Sequence, residues 1–106
     1  MSGSRTITGD EGRLDNVHPG DILREDYLIG SDIPVSEVAE GAGLDTDHLN
    51  AILSGQQPID ANADIRLARY FGISEGFFLG LQIDYDLEEV RRANGPELDK
   101  ISKRAA

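Results

Sequence analysis

The sequence predicts an all-α fold of five helices with a helix-turn-helix at its centre. Apolar residues recur at helical spacings of three and four, as in Leu49, Ile52 and Leu53, and no segment alternates with a period of two. Glycine, proline and aspartate divide the chain into short helical segments. A length of 106 residues, with 39% hydrophobic and 28% charged residues, is typical of one small globular domain.

The predicted helices are bounded by their end signals. Proline at the first helical position loses no hydrogen bond, aspartate or serine caps free N–H groups, and glycine adopts the left-handed conformation that ends a helix. A short helical extension from Asp86 to about Arg92 precedes a predicted break at Asn94-Gly95-Pro96. The five helices are predicted to begin at Pro19, Pro34, Asp45, Asp60 and Ser74, and the first four to end at or just before Gly30, Gly43, Gly55 and Gly72.

The two ends of the chain lack helical periodicity. We expect residues 1–16 to form a mobile N-terminal tail, residues 17–92 the folded domain and residues 93–106 a polar C-terminal tail. The N-terminus has no apolar region of a secretory signal, and no apolar run approaches the roughly 20 residues of a membrane span. With no cysteine in the chain, we expect a cytoplasmic protein without disulfides and without a membrane partner.

The segment between Pro34 and Gly55 has the order of a helix-turn-helix. Ala39 is small where two helices approach closely, Gly43 allows a positive φ, and Leu44 fills the angle between the helices. A helical bundle of another kind is the alternative that this pattern leaves open.

Four motifs follow one another between about Val17 and Val90. They are HPGDILREDYL, VSEVAEGAGLDTDHLNAILSGQQPI, ADIRLARYFGIS and FFLGLQIDYDLE. These motifs resemble those of the HigA/VapI-type antitoxins, a branch of the XRE, or lambda-repressor-like, helix-turn-helix family. The resemblance implies a lambda-repressor-like five-helix domain that forms a homodimer, neutralises a small basic RelE-like toxin of a type II toxin–antitoxin module and represses its own operon by binding operator DNA.

The resemblance also places the DNA contacts on and beside the third helix. Side chains in the first turn of a recognition helix meet base edges. Asn50 matches the N6 and N7 groups of adenine, whereas Asp47 only accepts hydrogen bonds and suits the amino group of cytosine. The predicted DNA-binding residues are Ser36, Thr46, Asp47, His48, Asn50, Gln56 and Gln57.

The charge of this region argues against strong DNA binding. The net charge is −10, and no lysine or arginine occurs between Arg24 and Arg66, a gap that contains the whole helix-turn-helix. Gln56 and Gln57 stand where the family usually has Lys-Arg, and glutamine releases no counterion from a phosphate. The alternative function is therefore a protein-interaction module of the same fold with weak or lost DNA binding. For Arg66 and Arg69 we expect ion pairs with carboxylates such as Glu25, Asp26 or Asp84.

The remaining motifs do not indicate an enzyme. His18 and His48 lack the spacing of metal ligands, no glycine-rich phosphate loop is present, and nothing places two carboxylates in one apolar cleft. We therefore expect no catalytic residue, no metal and no cofactor, and we expect His18 to position the first helix. The run of Phe77, Phe78, Leu81 and Tyr85 is predicted to lie in the core or in a dimer seam.

Overall fold

The computed structural model describes residues 15–105 and is all-helical in that range, which confirms the predicted fold class. Helices α2 and α3 form the helix-turn-helix, and the other helices cover its inner side. None of the described helices combines the length and apolarity that a membrane span requires. The elements are α1 (Pro19–Ile22) with a directly following π-helical segment (Leu23–Ile29), α2 (Val35–Ala42), α3 (Thr46–Leu53), α4 (Ala61–Phe71) and α5 (Phe77–Leu98).

The core lies where the inner faces of all the helices meet. The apolar positions at three- and four-residue spacing in α2, α3 and α4 are buried, as their periodicity predicts. In the π-helical segment, Leu23 and Leu28 are both buried, because winding with i→i+5 bonds brings residues five apart closer to one face. The main apolar cluster contains Leu23, Leu28, Val38, Ala39, Ala42, Leu49, Ile52, Leu53, Ile59, Ala63, Leu67 and Phe78.

The start of α1 is packed directly against the backbone of α3. His18 caps the helix, and its Nδ1 accepts a hydrogen bond of 2.9 Å from the Gly20 amide. A Cβ atom on Gly20 would lie 1.9 Å from the carbonyl oxygen of Ile52. Only glycine therefore allows this approach of α1 to α3. The expectation that His18 positions the first helix is confirmed.

The turn between α2 and α3 has the predicted glycine geometry. Gly43 adopts φ 71° and ψ 34°, and its amide donates to the Glu40 carbonyl. The Leu44 amide donates to the Ala39 carbonyl over 2.8 Å, which completes a Schellman motif. Leu44 is half-buried and packs against the core, so the turn sets the angle between the two helices.

The start of α5 differs from the prediction of a Ser74 cap. The helix begins at Phe77, and the N-cap position is Gly76, with φ 96°. The cap comes instead from α4, because the Asp64 carboxylate accepts hydrogen bonds from the Gly76 and Leu79 amides over 2.6 and 2.8 Å. Asp64 is only 2% exposed, so a buried charge from another helix replaces the local cap.

Helix α5 joins two segments that the sequence separates. It continues through the predicted extension as far as Asn94, whose non-helical values φ −125° and ψ 23° confirm the predicted break at this point. A further helical stretch follows this kink to Leu98. Pro96 is accommodated just after this bend. At the other end of the domain, Asn16, which the sequence assigns to the tail, donates to the Tyr85 carbonyl on α5 over 2.9 Å. Residues 1–14 of the predicted N-terminal tail lie outside the described residues.

Candidate nucleic-acid interface

The outer face of α3 presents the polar side chains that the sequence assigns to DNA. Thr46, Asp47 and Asn50 are exposed and His48 is half-buried, while the apolar side of the same helix is in the core. These four residues thus lie together on one short helix whose first turn carries three of them. The arrangement is suited to placing hydrogen-bonding groups in a major groove.

The two predicted glutamines lie in the turn that follows α3. The amides of Gln56 and Gln57 both donate to the Ala51 carbonyl, over 2.8 and 3.1 Å. This backbone pairing holds the turn against the end of the helix and leaves both side chains exposed. Their position next to α3 matches that of a phosphate contact, although they bring hydrogen-bonding capacity without charge.

Ser36 occupies the first turn of α2 and is also exposed. The preceding N-cap is Pro34, which has no side-chain hydrogen bond to offer. The first amides of α2 therefore have no side-chain cap, and Ser36 stands beside them. Free helical N–H groups and a hydroxyl are suitable donors to a phosphate oxygen.

Acidic groups surround this surface, and one of them lacks its expected structural role. Asp45 has the extended backbone of an N-cap residue, but its side chain makes no capping hydrogen bond to α3. Asp47 follows in the first turn of the same helix. Both negative charges interact favourably with the dipole at the N-terminus of α3, but both would repel a DNA phosphate.

The fold brings two arginines to the helix-turn-helix from outside its sequence. The Nη1 group of Arg24 donates to the Leu53 carbonyl at the end of α3 over 2.9 Å. The same guanidinium pairs with Asp21 at 3.1 Å and with Glu25 at 3.4 Å. Arg24 therefore holds the C-terminal end of α3, and neighbouring carboxylates offset its charge.

Arg66 reaches the other end of the helix-turn-helix from α4. Its Nη1 group donates to the carbonyls of Ala42 and Gly43 over 3.4 and 3.3 Å, and its Nε donates to the Asn62 side chain over 2.5 Å. The predicted ion pairs of Arg66 and Arg69 with Glu25, Asp26 or Asp84 are wrong. Arg66 bonds backbone carbonyls because α4 crosses the end of α2.

Arg69 lies one helical turn further along α4 and has a different environment. It pairs with Glu75 at 2.7 Å, in the loop before α5. The prediction that Arg69 pairs with a carboxylate is thus confirmed, but the partner is Glu75 and none of the predicted residues. A sequence signal for this partner is the short distance along the chain between Arg69 and Glu75.

Tyr70 closes the packing between α2 and α4. A Cβ atom on Gly41 would lie 2.2 Å from the Tyr70 ring, so the ring lies directly on the helix backbone. Burial raises the pKa of the Tyr70 hydroxyl, and the negative charge of Glu37 and a hydrogen bond to it raise that pKa further. The contact keeps α2 in place relative to α4.

No group of three or more histidine, cysteine or acidic side chains within residues 15–105 is arranged to hold a metal ion.

The fold and this exposed face define a helix-turn-helix protein of the lambda-repressor-like class. No protein-family model matches the chain. Virulence-associated protein I of Dichelobacter nodosus is 32% identical over 83 residues, which are 78% of this chain and 77% of that protein. The solved Pseudomonas aeruginosa antitoxin HigA with higBA promoter is 34% identical, with a TM-score of 0.79, over 86% of this chain and all of that one. A Pseudomonas aeruginosa protein solved in complex with its operator DNA is 35% identical, with a TM-score of 0.80, over 85% and 96% of the two chains.

The chain belongs to the family of HigA/VapI-type helix-turn-helix antitoxins. The likeness to these two solved structures covers 86% and 85% of the chain. Its relatives are antitoxins and regulators of transcription, and the protein is not an enzyme.

Proposed function

We propose that this protein is the antitoxin of a type II toxin–antitoxin module and represses its own operon by binding operator DNA. The observation that carries the proposal is the exposed polar face of α3, held on a fold shared with a HigA antitoxin solved with its promoter. In this proposal the first turn of α3 and Asn50 contact bases. Ser36, Gln56 and Gln57 contact phosphates on either side.

Binding of the protein to its own promoter across a series of salt concentrations tests the DNA part of the proposal. We expect a clear preference for the promoter over a scrambled duplex of equal length, with a shallow salt dependence because few cations line the surface. Fluorescence anisotropy of labelled duplexes measures both quantities. Equal affinity for the two duplexes at every salt concentration would refute operator recognition.

The acidic helix-turn-helix favours a second candidate, in which the fold serves protein interaction and DNA binding is weak or lost. The double variant Gln56→Lys with Gln57→Arg separates the two candidates. Both side chains are exposed, so the exchange leaves the core unchanged. If the wild type binds weakly and the variant gains affinity with a salt slope steeper by about two units, α3 is positioned to read DNA and only charge is missing. A variant that gains no affinity for the promoter would favour the protein-interaction module.

The proposed protein partner is a small basic RelE-like toxin. The net charge of −10 favours association with a basic protein, since complementary charge accelerates encounter. Co-expression with the product of the neighbouring gene tests this partner. We expect a stable complex and the rescue of cell growth. Growth arrest by that product in the presence of this protein, without complex formation, would contradict toxin neutralisation.

The proposed assembly is a homodimer formed along α5. Ile83, Leu87 and Val90 lie on one helical face and are 50%, 48% and 49% exposed. The first half of this helix segment is acidic and the second half carries Arg91 and Arg92. Two copies of α5 packed antiparallel would therefore bury the apolar face and bring opposite charges together, as a two-fold interface requires.

The oligomeric state in solution tests this seam. We expect Leu87→Glu to convert a dimer into a monomer that keeps its helical content, as measured by light scattering and circular dichroism. The control is Ile29→Glu, because Ile29 is 62% exposed and lines a surface groove that contains no residue of α5 among its described lining residues. A dimer that persists in Leu87→Glu, or a wild-type monomer at high concentration, would rule out the seam.

A further inference from the structure

We propose that Arg66 is a DNA phosphate contact, supplied by α4 to a helix-turn-helix that has no cation of its own. The inference rests on the proposed operator binding and names a residue outside the predicted set. Arg66 ends the stretch of sequence that has no lysine or arginine, and in the folded chain it lies against the turn between α2 and α3 inside that stretch.

The guanidinium is held in a defined orientation. Its Nε is fixed by Asn62, one helical turn earlier on α4, and its Nη1 is fixed by the two carbonyls at the C-terminal end of α2. Three bonds to two nitrogen atoms limit the rotation of a long side chain. Arg66 therefore loses little further side-chain entropy when it binds a phosphate.

The position of the guanidinium is next to the end of α3 that faces DNA. Arg66 lines an open surface cleft together with Gly43, Leu44 and His48. His48 belongs to the first turn of α3, which enters the major groove when a helix-turn-helix docks. The phosphates that border the groove then lie beside this turn, within reach of a side chain anchored there.

Charge and hydrogen-bonding capacity distinguish Arg66 from the other arginines near this surface. Arginine has five N–H donors, and the Nη2 group of Arg66 makes no hydrogen bond within residues 15–105. In that range Arg66 also forms no ion pair, whereas Arg24 and Arg69 do. Asp45 and Asp60 line the same cleft without pairing with it, so a phosphate would compete with no existing salt bridge.

The salt dependence of DNA binding tests the contact. We expect Arg66→Ala to reduce the slope of log K against log salt by about 0.9 and to lower affinity about tenfold near 0.1 M salt. Arg66→Lys should keep the slope because it keeps the charge. The matched control is Arg69→Ala, on the same helix, whose charge is already offset by Glu75 and whose removal should leave the slope unchanged.

The slope separates a phosphate contact from a structural role. If Arg66 only stabilised the end of α2, Arg66→Ala would lower the melting temperature and the affinity without changing the slope. An unchanged slope in Arg66→Ala, or an equal reduction in Arg69→Ala, would overturn the inference.

The same titrations on the promoter and on a scrambled duplex keep the two proposals distinct. A phosphate contact changes the slope on both duplexes, since phosphates carry no sequence. Loss of promoter preference with an Arg66-dependent slope would refute operator recognition and support the contact. Absence of binding to either duplex at low salt would refute both proposals.

Discussion

Replacing Gly20 with alanine tests whether the close approach of α1 sets the position of the recognition helix. The new Cβ atom would lie 1.9 Å from the Ile52 carbonyl oxygen and 2.9 Å from its carbon, whereas Cβ contacts below 3.0 Å essentially never occur. The obstacle is backbone, so no side-chain rotation relieves it. α1 and α3 must separate by about 1 Å, although α3 is held by the fully buried Leu49 and Ile52, and α1 by the buried Pro19 and by Leu23, which directly follows it.

The magnitude follows from two opposing effects. Overpacking of a core contact costs about 1–3 kcal/mol, and the higher helix propensity of alanine returns at most about 1 kcal/mol. We expect a net destabilisation of about 2 kcal/mol at Gly20→Ala, which corresponds to a fall in Tm of about 10 °C for a domain of this size. Because α3 is displaced, promoter affinity should also fall at temperatures where the variant is folded.

Thermal unfolding followed by circular dichroism measures the effect, and Gly80→Ala is the matched control. Gly80 is a helical glycine in α5, and apart from its chain neighbours and its own helix backbone no described atom lies within 4 Å of its ideal Cβ position. Its replacement should therefore stabilise the protein by up to about 1 kcal/mol. A Gly20→Ala protein as stable as Gly80→Ala would show that the contact between α1 and α3 is not tight.

Three further predictions concern single side chains. Asp64→Asn should destabilise the protein by about 2 kcal/mol, seen as a lower urea midpoint. The Gly76 and Leu79 amides bond different oxygens of the Asp64 carboxylate, and asparagine replaces one of these oxygens with an NH2 group that cannot accept. Arg24→Ala should cost about 1 kcal/mol by removing the bond to the last carbonyl of α3. An unchanged urea midpoint in either variant would contradict these roles. The hydrogen bond from Arg92 lowers the pKa of Glu88, so this pair stabilises the fold above the ordinary pKa of 4.5 and stops doing so as the pH falls through the folded-state value. Wild-type Tm should therefore fall more than that of Glu88→Gln between about pH 7 and pH 3, and parallel pH profiles would refute the linkage.

Helix positions followed from local signals wherever those signals were complete. Proline or aspartate at a start and glycine at an end correctly predicted α2, α3 and α4, because an extended start residue and a left-handed glycine act within a few residues of the helix they bound. Of the three start residues, only Asp60 also makes a capping hydrogen bond with its side chain. The start of α5 was predicted at the wrong residue because the group that caps it is not close to it in the sequence. Its cap is a carboxylate twelve residues earlier, on another helix, and no local pattern around Ser74 carries that information.

The DNA-binding residues stay a prediction, but the structure shows which of them are exposed and which charged residues lie near them. The sequence predicted that the outward positions of α3 are polar and exposed, since the apolar residues at three- and four-residue spacing leave one face for solvent. It did not indicate which distant charges approach that face. Linear spacing suggested a helix-turn-helix without cations, whereas in the folded chain Arg24 and Arg66 lie at the C-terminal ends of α3 and α2.

The sequence by itself determined the helices, their order and the central helix-turn-helix, because helix formation depends on caps, breakers and periodicity close along the chain. Only the tertiary structure decided the close contact of Gly20 with Ile52, the Asp64 cap of α5 and the place of Arg66 beside α3. Each of these joins residues far apart in sequence, and such contacts arise from the packing of whole helices. The positive charges of Arg24 and Arg66 therefore come close to the recognition helix only through the packing of the folded chain.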